Sequence, residues 1–301
     1  MHKECVSDKL DEVLCRLGTN TIFWSDVILG FRKKIELLST KSNYNKLLKS
    51  IFSSNDLHEF NSYVFEALFA YDFESRGHQL LYEVKQMEYG NSSIDFCYEL
   101  SESKKIYFEL RNIQQRKLIT DSIEHQLSNT NQYEILLDGA DEKLETIRLQ
   151  KLILSKCQKD DGEPIKFSNL SVNNLNFIVL NISELHLGGI DDADCVLTLY
   201  GDVCMNPFYR RGIFGMWQKL NSNPTVENKE YYDGFQHFRD TIHGVMFTRY
   251  MKDSGMMGKM YFDRELEYFP ILNTNLLEKE TCISISNKLG SFLRKWKTAN
   301  N

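Results

Sequence analysis

The chain predicts an α/β fold, a mixed central sheet flanked by helices. A helical N-terminal extension covers 1–55, the core covers 56–182, and a mixed C-terminal extension over 183–301 packs on that core. Three observations carry this. Residues 92–113 hold two runs of alternating apolar and polar residues joined by a polar turn. A capped amphipathic helix precedes them at 56–76. A helical stretch ending near Leu154 leads into the uniformly apolar run NFIVLNI at 176–182, the pattern of a strand covered on both faces.

Along the chain, Val13, Leu14 and Leu17, then Phe31, Ile35 and Leu38, predict two helices broken at Gly18-Thr19-Asn20. Residues 1–55 carry nine Lys/Arg and six Asp/Glu, a balance of +3 against −6 for the whole chain. Such a segment suits contact with nucleic acid through Lys33 and Lys34, or a solvated extension packed on the core. In the next helix Asp56 is the cap and Glu59 stands three residues on. Leu57, Phe60, Val64, Ala67, Leu68 and Tyr71 form the apolar stripe, and Gly77 marks the stop. Glu66 lies beside the stripe, where it is a site residue or a boundary glutamate covering apolar surface. Leu80, Tyr82 and Val84 share a parity in a strand over 79–88, and Gly90-Asn91 turns the chain into the hairpin.

Beyond the hairpin, Leu118, Ile119, Ile123 and Leu127 predict a helix and 133–137 a strand. Leu144, Ile147, Lys151 and Leu154 predict a second helix; either helix can serve as the crossover that a parallel strand at 176–182 requires, and the second is favoured because that strand follows it. Gln150 and Lys151 lie on the second helix, as solvated helix-face residues or within reach of DNA or the site. Asp191, Asp192 and Asp194 read as a turn before a strand at 196–200, without the ligand series of a calcium loop. Arg210 and Arg211 stand beside aromatics, which suits phosphate contact with stacking. Strands over 242–250 and 259–269 and a terminal helix carrying Leu289, Phe292, Leu293 and Trp296 complete the prediction.

Composition narrows the function classes. Hydrophobic residues at 42% and aromatics at 12% are those of a folded chain. No run of 18 apolar residues and no apolar N-terminal segment is present, so neither a membrane span nor a signal peptide is expected. Seven scattered cysteines without a C-x-x-C read as reduced thiols, which favours the cytoplasm and disfavours structural zinc. The net charge of −6 opposes non-selective nucleic-acid binding but leaves room for a local basic groove. Phosphate-loop, G-x-S-x-G and paired-histidine motifs are absent from the sequence, so neither ATP hydrolysis nor an α/β-hydrolase is indicated.

Antiparallel pairing of the hairpin brings Asp95 beside Glu109. Two neighbouring carboxylates repel unless a cation lies between them, and a hard divalent ion is the usual one. Glu109 and Arg111 are two residues apart and point the same way, roughly 7 Å apart along the strand. The pattern D-(x)13-E-x-R, with Glu66 on the preceding helix, resembles the PD-(D/E)XK motif of restriction-endonuclease-like nucleases. The resemblance covers residues 56–113 with specific positions and extends to 182 by topology. It implies a restriction-endonuclease-like fold and a DNA endonuclease using Mg²⁺, or Mn²⁺ in its place. Asp95, Glu109 and the Leu110 carbonyl would hold the metal, and Glu66 its water. A role in restriction or phage defence, and a homodimer or a subunit of a larger complex, follow by the same analogy. Arg111 departs from the family's lysine, and its pKa is too high for a general base. Lys85 on the preceding strand is a candidate replacement. Two other readings stand beside this one. One is a module of the same fold that binds DNA or a partner protein without catalysis. The other is a structural hairpin whose acids are solvated.

Overall fold

A computed structural model describes residues 3–18, 25–86, 92–116 except 103, 139–159, 163–167, 174–187, 190–202, 212–214, 237–250 and 265–293, with short pieces between 121 and 129. Arg210, Arg211, the strand expected at 133–137 and most of the helix expected at 118–127 lie outside these residues.

Among the described residues one mixed sheet runs in chain order: β1 (Leu80–Lys85), β2 (Ser93–Ser101), β3 (Lys104–Asn112), β4 (Asn174–Asn181), β5 (Gly244–Tyr250) and β6 (Leu266–Leu272). The pairs β1/β2, β2/β3 and β5/β6 are antiparallel, and β3/β4 and β4/β5 are parallel. The crossover between β3 and β4 contains α5 (Gly139–Leu154), as the apolar run of β4 requires. The segment expected as a C-terminal extension supplies β5 and β6, so it completes the sheet.

Helices cover both faces. On one lie α1 (Lys3–Arg16), α2 (Ser25–Ser39), α3 (Asn45–Ser53), α4 (Leu57–Glu74) and α7 (Lys279–Phe292). On the other lie α5, α6 (Asp192–Tyr200) and residues 213–214 and 238–242. The position of α4 is fixed by aromatic packing. The Phe69 ring lies 5.2 Å from that of Phe108 and 5.4 Å from that of Phe96, centroid to centroid. Phe69 is one turn beyond Glu66, so these contacts hold Glu66 over β2 and β3. The Asp56 carboxylate accepts from the N–H groups of His58 and Glu59, fixing where α4 begins. Asp56→Ala is expected to cost about 1 kcal/mol, read as a lower urea midpoint at unchanged slope.

Three expectations are corrected. Residues 196–200 are helical, not a strand. Asp191 accepts from the Asp194 N–H while the Asp194 carboxylate accepts from the Asp191 N–H, and this reciprocal cap starts α6. Lys34 is not a free DNA contact: it is 9% exposed, with its ammonium 5.6 Å from the centre of the Tyr71 ring. Lys33 is exposed on α2. Gln150 is half-buried rather than fully solvated: its amide donates to the Thr198 carbonyl and joins α5 to α6.

Candidate active site

The ladder between β2 and β3, which shifts register between Glu99 and Ser101, ends toward the site at Phe96 opposite Phe108. Beyond that pair the Leu110 N–H donates to Asp95 Oδ2 at 2.7 Å. This bond sets the Asp95 carboxylate against the Glu109-Leu110 backbone. Glu109 is fully buried and shares the parity of Tyr107, which packs on the α5 side of the sheet. Its Oε1 accepts from Lys156 Nζ at 2.7 Å and Lys166 Nζ at 2.5 Å. Its Oε2 is buried without a hydrogen-bond partner.

Glu66 is the third carboxyl, with the Tyr82 hydroxyl donating to its Oε2 at 2.8 Å. Burial, then the charge of Asp95, pushes Glu66 up to about 8. Burial, then the charge of Glu109, pushes Asp95 up to about 6, against the opposing pull of Lys156, Lys166 and the Leu110 N–H. Burial, then Glu66, raises Tyr82 far enough to keep its hydroxyl protonated as a donor. Three acids and two ammoniums thus act on one another across a few residues.

The site opens into a cleft of about 540 Å³ between the first turns of α4, the end of β3 and α5. Glu66, Leu110, Arg111 and Lys156 line it, together with Ser62 and Asn112. Arg111 is exposed. One wall is ordered by Glu145, 2% exposed, which pairs through Oε1 with Arg116 and through Oε2 with Arg148 at 3.0 Å. Arg148 also donates to the Gln114 carbonyl.

Glu66, Asp95, Glu109, Leu110 and Arg111 are therefore gathered at one place. Lys85 is not: it lies exposed at the end of β1, in register with Ser93. The lysines that stand at the site are Lys156 and Lys166. Lys156 stands in the turn just past α5, three residues after the buried Ile153, and a lysine closing an apolar stripe is a readable signal. Lys166 stands in a loop between Pro164 and Phe167 and meets a residue 57 positions away, so nothing local reveals it.

The donor set fits a hard divalent cation. Among the described residues no three Asp, Glu, His or Cys side chains form an enclosing metal cage. Mg²⁺ needs none, because it is commonly held by one or two carboxylates, waters and a substrate phosphate. The unpartnered buried Glu109 Oε2, beside Asp95, is an acceptor that such an ion would satisfy.

The raised carboxyls dictate a pH dependence. Folded Glu66 keeps its proton to about 8, against an ordinary value of 4.5. Between these values the folded state binds more protons than the unfolded one, so stability falls as pH rises through that window. Asp95 adds the same sign between 3.8 and about 6. In metal-free buffer the urea midpoint is expected to decline across this range, and Glu66→Gln to flatten the part from about 6 to about 8. A wild-type midpoint that climbs over that upper part would contradict the assignment.

No protein-family model, curated protein or solved structure matches the chain.

Proposed function

We propose that the chain is a divalent-metal-dependent phosphodiesterase acting on DNA, on a restriction-endonuclease-like fold of the PD-(D/E)XK class. The observation that carries this reading is the half-buried Asp95 beside the buried Glu109, with one unpartnered Glu109 oxygen and two lysines, next to a cleft lined by Glu66, Leu110, Lys156 and Arg111. Asp95, Glu109 Oε2 and the Leu110 carbonyl would hold Mg²⁺ or Mn²⁺. When bound, the ion supplies a water of lowered pKa and positive charge for the phosphate.

The chain's own residues do the rest. Lys156 and Lys166 orient Glu109 through Oε1, leaving Oε2 directed to the ion site. Tyr82 fixes Glu66 by donating to Oε2, so below about pH 8 the proton of Glu66 sits on Oε1. There it donates to a water or phosphate oxygen in the cleft. Arg111 at the mouth meets a phosphate and stabilises its charge, a task that does not require losing a proton.

Nicking of supercoiled plasmid in Mg²⁺, with chelator as control, tests the reading. Arg111→Ala is expected to raise the KM about tenfold, the loss of roughly 1.4 kcal/mol of charge contact, while Arg111→Lys retains activity. Folded protein that leaves plasmid intact in both Mg²⁺ and Mn²⁺ would overturn the proposal. One feature favours a non-catalytic binding module instead: the lysine pair already offsets the charge of Glu109 without an ion. That reading expects no carboxylate-dependent metal binding.

A further inference from the structure

We infer that Gln86 and His237 are positioning residues that fix Lys166 against Glu109. The inference rests on the phosphodiesterase reading only for its effect on rate. Lysine is a flexible side chain, and one on an irregular loop has no helix or strand to aim it. Residues 165–167 belong to neither kind of element, yet each is tied to a different part of the chain. The N–H groups of Ile165 and Lys166 donate to the Cys157 carbonyl, at 2.9 and 3.4 Å, just beyond α5. The Ser92 hydroxyl donates to the Ile165 carbonyl at 2.8 Å. The Phe167 N–H donates to Gln86 Oε1 at 2.8 Å. His237 Nε2 lies 2.9 Å from the Lys166 carbonyl. A carbonyl can only accept, so Nε2 carries the proton. Burial lowers His237, which keeps that ring neutral and its Nε2–H in place.

The backbone at Phe167 has φ +64°, a left-handed conformation that a residue with a Cβ rarely adopts. Its ring is fully buried. Local strain of this kind persists where surrounding contacts over-determine it. Here those contacts come from the β1–β2 connection, the end of α5 and the helical residues 237–241, and they converge on the one residue whose ammonium lies 2.5 Å from Glu109 Oε1. Lys156 meets the same oxygen from the turn that ends α5. The two lysines reach Glu109 from different segments, and the contacts to Gln86 and His237 fall on the segment of Lys166.

The test combines a footprint with a double-mutant cycle on the full chain. Acylation of lysine amines by a water-soluble acetylating reagent, mapped by peptide mass spectrometry, reads the accessibility of Lys166 without requiring activity. Gln86→Leu and His237→Leu are expected to raise the acylation rate of Lys166 at least about tenfold, with Lys156 unchanged. His237→Gln, which keeps a donor, is expected to restore most of the protection. In plasmid cleavage the same Leu variants are expected to lower kcat about 10- to 100-fold with little change in KM, since small misplacements of reacting groups carry penalties of that size. In a Lys166→Met background they are expected to lower it no further. Should a Leu variant not fold, Gln86→Ala and His237→Ala, which likewise remove the acceptor and the donor, give the footprint comparison with the same expected gain in acylation. Protection of Lys166 unaltered by the Leu variants, or losses that multiply with Lys166→Met, would overturn the inference. Protection lost in a protein that cleaves no DNA would uphold the positioning and count against the phosphodiesterase reading alone.

Discussion

Asp95→Asn is expected to reduce Mg²⁺-dependent DNA cleavage by at least about 10³-fold, or roughly 4 kcal/mol of transition-state stabilisation. The substitution is nearly isosteric and keeps an oxygen to accept the Leu110 N–H. What it removes is the negative charge. Loss of that charge weakens the hold on a divalent ion and also removes the repulsion that raises Glu66. The stability of the variant is therefore expected to equal or exceed that of wild type in metal-free buffer while activity collapses. Plasmid nicking and urea denaturation on the same preparation separate the two effects. Retained cleavage by a folded Asp95→Asn protein would remove Asp95 from the chemistry.

Glu109→Ala is expected to have the largest effect on stability, a loss of about 3–5 kcal/mol. Glu109 is fully buried, and the side chains of Lys156 and Lys166 are only 17% and 18% exposed. Deleting the carboxylate leaves two ammoniums in a site they cannot readily leave, with Asp95 and the half-buried Glu66 as the nearest acids. The cost comes from the orphaned charges rather than from a lost attraction. Adding Lys156→Met and Lys166→Met to Glu109→Ala is therefore expected to recover most of the loss, because apolar replacement of a whole buried ionic group is often near neutral. Urea midpoints of the single and triple variants check this. A triple variant no more stable than the single would show that the lysines are well solvated and that the destabilisation has another origin.

The hairpin acids are legible in the sequence because their signal is local. Alternation fixes which residues share a face, and a short turn fixes which strand positions meet. The same locality makes α4 legible, with its cap, stripe and stop within 22 residues of each other. Lys166 fails on this ground, since its approach to Glu109 is set by a strained loop and by partners at positions 86 and 237. Lys156 was readable in principle, as the lysine that ends the buried stripe of α5. The strand expected at 196–200 is a case of a short apolar run that periodicity alone does not decide. The deciding information lies upstream, in an acidic cluster that caps a helix and whose sequence equally suits a solvated turn. Lys34 shows the limit of reading charge as surface: its ammonium lies over Tyr71 and its stem is covered.

Calorimetric titration with Mg²⁺, on wild type beside Asp95→Asn and Glu109→Gln, tests the central claim most directly. The expected result is millimolar or tighter binding to wild type that both substitutions abolish. Absence of binding at millimolar Mg²⁺, or binding that both variants retain, would contradict the assignment of these carboxylates to a cation site.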